Sequence, residues 1–357
     1  MFQLRIGQNI FQNPKDFSGE MKGFSELEQA AIAFCNAWIA GHGTFYQQSS
    51  GSTGTPKTTE LHRDQMIASA TATGDFFNVN ESTRLLCCLN PAYIAGKMML
   101  VRAMVWNAEI ELVEPTSDPL QEISGDHLPD FVAMVPLQIQ AILEDPESFE
   151  KLRKIKHILI GGAPLSEKLK SQIVHHRIHA FQTFGMTETV SHIALARIES
   201  GNLVYQALKN VEIGQDNKGA LWVKSAMSGL ERIQTNDLVE LKSENTFCWL
   251  GRTDFVINSG GVKIHPELLE TKSESTIASF FPNSAFFFFG LKDPNLGEKL
   301  ALFIQTDPTE SEKARLLQKE LKLKLDRFEV PKDIYLISKF EITSSGKLDR
   351  IKTVSLL

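Results

Sequence analysis

The sequence predicts an α/β protein: a large N-terminal α/β domain on a parallel sheet, a β-rich subdomain, and a small mobile C-terminal α+β domain. Three observations predict this. Between residues 43 and 178, short apolar runs alternate with segments of helical periodicity, the pattern of a parallel sheet with crossover helices. After about residue 195, short alternating strands follow one another without helices. From 251–256 a second unit begins, reading helix, two strands, charged helix and strand. The domains are accordingly 1–251 and 252–357.

The elements follow in order. GTFYQQ (43–48) reads as a strand, and ELHRDQMIASATATGDFF (60–77) as a helix behind a glycine-rich loop. RLLCCLN (84–90) is a short buried strand, AGKMMLVRAMVWNA (95–108) a buried helix, and EIELVE (109–114) a strand. DFVAMVP (130–136) is a strand with a helix behind it, and KHILIGGAPL (156–165) a strand ending in a glycine turn, with Ser166 capping the next helix. IALARIES, ALWVKSA and DLVELKSENTFCWLG are the short strands of the β-rich part. In the last unit PELLETKSES and SEKARLLQKELKLKL are helices, and AFFFFG, LALFIQT and DIYLIS are strands.

The bulk numbers narrow the function. The 357 residues are 42% hydrophobic and 22% charged, which suits a well-cored globular chain. A net charge of −6 argues against nucleic acid as the main partner. The four cysteines, Cys35, Cys87, Cys88 and Cys248, lie in apolar surroundings with no C-x-x-C pair, and read as buried thiols of a reducing compartment. The N-terminus lacks a signal-peptide core, and no apolar run approaches the roughly 18 residues of a membrane span. A cytoplasmic protein is expected.

Several stretches carry candidate chemistry. SSGSTGTPKTTE (49–60) concentrates hydroxyls and glycines ahead of Lys57. It departs from the phosphate loop G-x-x-x-x-G-K-[ST], because Pro56 stands in place of the second glycine and has no N–H to donate. The hydroxyls of Ser50, Ser52 and Thr53 and the amides of Gly51 and Gly54 can still hold phosphate oxygens; a flexible polar turn is the plain alternative. In TFGMTETVSH (183–192), Thr187 can donate to a phosphate, Glu188 can hold Mg²⁺ on the same phosphates, and Phe184 offers a face to a base. Gly161, Gly162 and Ala163 close a strand where open α/β sheets place ligands. Asp237 in TNDLVEL suits ribose hydroxyls, Arg252 lies in GRTDF, and Lys347 sits on a basic tip in SSGKLDR. Singly, each also reads as a loop, turn, hairpin or solvated tail.

Together and in this order, these stretches resemble the acyl-adenylate-forming superfamily of acyl-CoA synthetases, peptide-synthetase adenylation domains and luciferases. The match comprises SSGSTGTPK (49–57), GGAPL (161–165), FGMTET (184–189), TNDL (235–238), GRTDFVINSGGVKIHPELLE (251–270), LKDPNLGEKL (291–300) and SGKLDR (345–350). The resemblance implies an AMP-forming acid–thiol ligase using ATP, Mg²⁺ and coenzyme A. It assigns Ser50, Gly51, Ser52, Thr53, Gly54 and Lys57 to the phosphates, Gly161, Gly162, Ala163, Phe184 and Gly185 to the adenine, and Asp237 and Arg252 to the ribose. Thr187 would touch the α-phosphate, Glu188 would bind the metal, and Lys347 would bridge the attacking carboxylate and the α-phosphate. Asp254 falls at the hinge, and Gly260, Gly261 and Lys263 in the segment lining the CoA thiol channel.

Two departures bear on the acid. Only a short region precedes the phosphate loop, so a shortened first subdomain is expected, and NPAYIAGKMML carries Ala92 and Tyr93 where the family often has an aromatic–His pair. Within the superfamily the chain is most similar to the short o-succinylbenzoate–CoA ligases of menaquinone biosynthesis. Lys97 and Arg102 are candidates for the carboxylate that is not activated, unless their cations snorkel to the surface. Tyr93 and Ser191 are candidate pocket walls or plain packing. Other aromatic or medium-chain acids, a carrier-protein acceptor, and a non-catalytic nucleotide-binding homologue are the competing readings. His175 and His179, at i and i+4, read as a solvated helix face and not a zinc pair.

Overall fold

The computed structural model describes residues 1–19, 21–49, 57–124, 127–342 and 348–355, with residues 48, 49 and 57 placed by backbone only. Ser50, Gly51, Ser52, Thr53, Gly54 and Lys347 therefore lie outside the described residues.

The chain begins with a hairpin, β1 (Gln3–Ile6) and β2 (Asn9–Phe11), and helix α1 (Glu26–Ile39). β3 (Thr44–Ser49) and β4 (Lys57–His62) then pair antiparallel as a separate two-stranded sheet, and α2 (Arg63–Phe77) follows. This corrects the sequence expectation of a helix from residue 60. Thr58, Thr59 and Leu61 favour a pleated strand, and the pairing with β3 satisfies their backbone. The glycine-rich stretch thus joins two antiparallel strands, not a strand and a helix.

The next elements are β5 (Leu85–Cys87), α3 (Ile94–Trp106), β6 (Glu109–Leu112), β7 (Phe131–Met134), α4 (Pro136–Glu144), α5 (Pro146–Leu152), β8 (His157–Ile160), α6 (Glu167–His175) and β9 (Ala180–Gly185). Strands β1, β6, β5, β7, β8 and β9 lie side by side, all parallel. Beyond β9 the same sheet continues antiparallel through β10 (His192–Arg197), β11 (Tyr205–Ala207), β12 (Glu212–Gln215), β13 (Ala220–Lys224), β14 (Arg232–Leu241) and β15 (Thr246–Arg252). The β-rich part is therefore the antiparallel half of one 13-stranded sheet. A second, five-stranded sheet lies wholly in 257–337: β16 (Ile257–Ser259), β17 (Val262–Ile264), β18 (Phe286–Asp293), β19 (Gly297–Gln305) and β20 (Asp333–Ile337). Helices α7 (Pro266–Phe280) and α8 (Ser311–Lys324) pack on it, and α9 (Arg350–Val354) closes the described chain.

The central strands are apolar on both faces, as a sheet covered on both sides requires. Leu85, Phe131 and Leu159 point into one core with Met66, Ala70, Met98 and Met99 of α2 and α3. Leu86, Val132, Met134, Ile158 and Ile160 point into the opposite core with Ile139, Ile142, Leu169 and Ile173 of α4 and α6. The four cysteines are free and buried. His179 lies beyond the end of α6 and its Nδ1 sits 2.6 Å from the Lys156 carbonyl, so the two histidines do not share a helix face.

Gly96 seats α3. A Cβ there would stand 2.4 Å from the Leu89 carbonyl oxygen and 2.6 Å from the Asn90 backbone. Backbone cannot swing aside as a side chain can, so overpacking outweighs alanine's better helix propensity of under about 1 kcal/mol. Gly96→Ala is expected to lower stability by about 1–3 kcal/mol, read as an earlier urea midpoint.

Candidate active site at the carboxyl ends of β8 and β9

Gly161, Gly162 and Ala163 turn the chain at the carboxyl end of β8, beside the end of β9. Gly162 has φ +82°, which a side chain would strain. A Cβ on Gly161 would lie 2.4 Å from Thr183 Oγ1, so the turn hugs β9. Gln182 Nε2 donates to the Ala163 carbonyl at 3.3 Å, fixing the turn from the other side. Phe184 is half-buried and packs edge-on against Tyr205 (5.6 Å) and Phe247 (5.1 Å).

After Gly185 the chain makes a short 3-10 turn, Thr187–Thr189, that presents Glu188 to solvent. The buried Thr189 hydroxyl holds this loop together, accepting from Met186 N (3.2 Å) and donating to the Ser191 carbonyl (2.8 Å). Val190 then has φ 64° and ψ −47°, and Ser191 N donates to Thr189 O at 2.6 Å. That is a γ-turn with a β-branched residue at its positive-φ centre, a conformation costing about 1–3 kcal/mol. Gly185 accommodates it: a Cβ there would stand 2.4 Å from the Ser191 carbonyl oxygen.

The sharp turn brings two consecutive residues against α3. Arg102 Nη2 donates to Ser191 Oγ at 3.1 Å and approaches His192 Nδ1 at 3.4 Å. Arg102 Nη1 reaches only the Met99 sulfur at 3.5 Å, and its buried Nε has no partner among the described residues. Arg102 is 2% exposed, and burial is the one influence on its charge, with no carboxylate among the described residues acting on it. Burial pulls its pKa down to about 10, so it remains a cation at neutral pH. His192 is buried too; loss of solvent, then the charge of Arg102, push its pKa well below the usual histidine value and leave it neutral. Neither His192, at the end of TFGMTETVSH, nor its partner Thr73 carries a sequence signal for this role.

Lys97 is also buried and does not snorkel, but it lies elsewhere. Its ammonium donates to Gln47 Oε1 (2.9 Å) and the Tyr46 carbonyl (3.4 Å), tying α3 to β3. Tyr93 is 63% exposed at the start of α3. Of the four acyl-pocket candidates, the structure brings together Arg102 and Ser191.

Asp237 and Arg252 sit opposite one another on β14 and β15. Trp249 Nε1 donates to Asp237 Oδ1 at 3.0 Å. Burial raises the Asp237 pKa, against the opposing pull of Trp249 and Arg252. Arg252 is ion-paired with Asp254 at 2.9 Å, and Asn236 also donates to Asp254. Gly260 and Gly261, at φ +58° and +82°, form the tight turn between β16 and β17, and Lys263 is exposed on β17. On the C-terminal side Arg350 pairs with Glu270 at 2.8 Å, anchoring the segment after residue 347 to α7. Glu274 of α7 accepts from Glu167 N at 2.7 Å, docking the second sheet's helix on the amino end of α6.

Residues 39–220 match the AMP-binding enzyme family. The 2-succinylbenzoate–CoA ligase of Staphylococcus epidermidis is 26% identical over 338 residues, 86% of this chain and 68% of the relative. The one from Listeria monocytogenes is 25% identical over 92% of this chain and 73% of the relative. Among solved structures, an acyl-CoA synthetase (AMP-forming)/AMP-acid ligase II-like protein of Dyadobacter fermentans is 36% identical, with 97% of this chain and 98% of that one covered and a TM-score of 0.64. The fold of Bacillus subtilis o-succinylbenzoate CoA synthetase, solved with its acyl-adenylate, superposes with a TM-score of 0.72 at 22% identity, over 86% of this chain and 68% of that one. The chain belongs to the AMP-binding enzyme family and has the fold of its adenylate-forming members.

Proposed function

We propose that the protein is an ATP-dependent, AMP-forming acid–CoA ligase, and that its acid is o-succinylbenzoate. The observation that carries the substrate is the buried Arg102: a cation with neutral neighbours and an unpartnered Nε beside the loop at 187–191. A buried charge of this kind is costly unless something anionic completes it. An acid with a second carboxylate would do so.

The chemistry brings a carboxylate to an anionic α-phosphate, and the like charges must be offset. Thr187 donates to the phosphate and Lys347 bridges it to the attacking carboxylate, both favouring the charge that builds in the transition state. Gly161, Gly162, Ala163 and Phe184 hold the base, Asp237 and Arg252 the ribose, and Lys57 the departing phosphates. Mg²⁺ fits Glu188, an exposed carboxylate without a partner among the described residues, because this ion typically takes one or two carboxylates and completes its shell from phosphates and water. When bound it neutralises triphosphate charge. The second half-reaction, thiol attack releasing AMP, needs the β16–β17 hairpin at the site instead of Lys347. Domains 1–251 and 252–357 turning about Asp254 supply each surface in turn. No helix among the described residues is long and apolar enough to cross a membrane, and a cytoplasmic place of action suits ATP and CoA.

ATP–pyrophosphate exchange across a panel of acids, then addition of CoA, tests this reading. Exchange with o-succinylbenzoate and thioester release on adding CoA are expected. Exchange with benzoate or octanoate alone would overturn the substrate, transfer only to a phosphopantetheinyl carrier the acceptor, and silence with every acid the ligase reading itself.

A further inference from the structure

We propose that His192 is a positioning residue for the acid's second carboxylate: its Nδ1 lone pair orients Arg102 without adding negative charge, reserving that charge for the substrate. The inference rests on the o-succinylbenzoate reading above.

The hydrogen-bond chain fixes the histidine's tautomer. Thr73 Oγ1 lies 2.9 Å from the Ser69 carbonyl and 3.0 Å from His192 Nε2. A carbonyl only accepts, so the threonine proton goes to Ser69 O and Thr73 Oγ1 receives Nε2–H. The Nδ1 atom is then a lone pair facing Arg102 Nη2, which only donates. The other neutral tautomer would set donor against donor at Nδ1. The imidazolium would do the same and place two cations side by side in a buried site.

The backbone commits to this arrangement. Side chains of adjacent strand residues normally point to opposite faces. Here the γ-turn at Val190 and the register irregularity between His192 and Ala194 let Ser191 and His192 both address one guanidinium. Strain of this kind persists only where surrounding structure holds it. A carboxylate at position 192 would grip Arg102 harder but would neutralise it. A neutral acceptor aligns the group and leaves its Nε–H and its full charge available.

The test compares His192→Leu, His192→Gln and Arg102→Met on o-succinylbenzoate and on 3-benzoylpropionate, the same acid without its ring carboxylate. Loss of a hydrogen bond to a charged group predicts that His192→Leu raises KM for o-succinylbenzoate about tenfold or more, with a much smaller change in kcat. KM for 3-benzoylpropionate should stay within about twofold, since a readout on one acid alone marks lost alignment and not general damage. His192→Gln, whose amide can accept from Arg102 and donate to Thr73, should recover most of the loss. ¹⁵N NMR of the wild-type protein should show the Nε2–H tautomer. Equal KM increases for both acids, no increase for either, no recovery with Gln, or an Nδ1–H histidine would overturn the proposal. If Arg102→Met also leaves KM for o-succinylbenzoate unchanged, the carboxylate anchor itself fails; if it raises KM while His192→Leu does not, only the positioning role falls.

Discussion

Arg102→Met is expected to raise KM for o-succinylbenzoate by about 100-fold while making the folded protein more stable. Truncating one side of a buried, hydrogen-bonded charge pair costs roughly 2–5 kcal/mol of binding, which sets the size of the KM effect. The stability gain has the opposite origin. In the free enzyme the guanidinium is desolvated, its Nε is unsatisfied, and no carboxylate among the described residues compensates it. Replacing such a charge by an apolar side chain of similar length removes that cost, and buried ion sites replaced this way gain about 1–4 kcal/mol. Met99 and the α2–α3 core lie ready to receive a thioether. Thermal unfolding and steady-state kinetics on one preparation check both halves. A destabilised variant with unchanged KM would show that Arg102 is structural, and that the pocket recognises its acid some other way.

Asp254→Pro is expected to leave adenylate formation within about threefold and to reduce thioester formation about 100-fold, because proline fixes φ near −65° and removes the torsional freedom a hinge needs. Asp254 occupies the 3-10 turn Thr253–Phe255, whose closing bond is donated by Val256 and survives the substitution. The carboxylate's own bonds, to Arg252 and Asn236, are exposed and contribute under about 1 kcal/mol. Asp254→Ala removes the same bonds without fixing φ, so it should leave both half-reactions near the wild-type rate. Pyrophosphate exchange measures the first half, and release of AMP from supplied acyl-adenylate and CoA the second. Equal losses in both would refute a hinge at this position. The contact of Glu274 with the amino end of α6 is one that a large rotation has to break.

The two substitutions separate what was legible in the sequence from what was not. Apolar periodicity is a local property, and it sufficed to predict β7, β8, α3, α6 and the helix–strand order of the C-terminal unit. Ordered motifs are also local, which is why the turn at 161–163, the stretch at 184–189 and the Asp237–Arg252 pair were recognisable. β4 has no such local signature: its six residues follow a glycine-rich loop and precede a strong helix, and only pairing with β3 makes them a strand.

The acyl pocket was harder to read. Lys97 and Arg102 are five positions apart on one helix and looked equivalent in sequence. The fold turns one toward β3 and the other toward β10. His192 is a lone histidine after a familiar motif and carries no local signal. Its value depends on Thr73, contributed by α2, and on Arg102, contributed by α3.

The sequence by itself determined the α/β class, the alternation of strands and helices through the central parallel sheet, and the nucleotide chemistry, because these reside in short-range periodicity and in contiguous residue sets. Only the tertiary structure decided that the β-rich part continues the main sheet, which buried cation keeps a donor unpartnered among the described residues, and which neutral histidine lies against it. Strand pairing, desolvation and hydrogen-bond direction are relations between segments far apart in the chain, and they exist only once those segments are packed together.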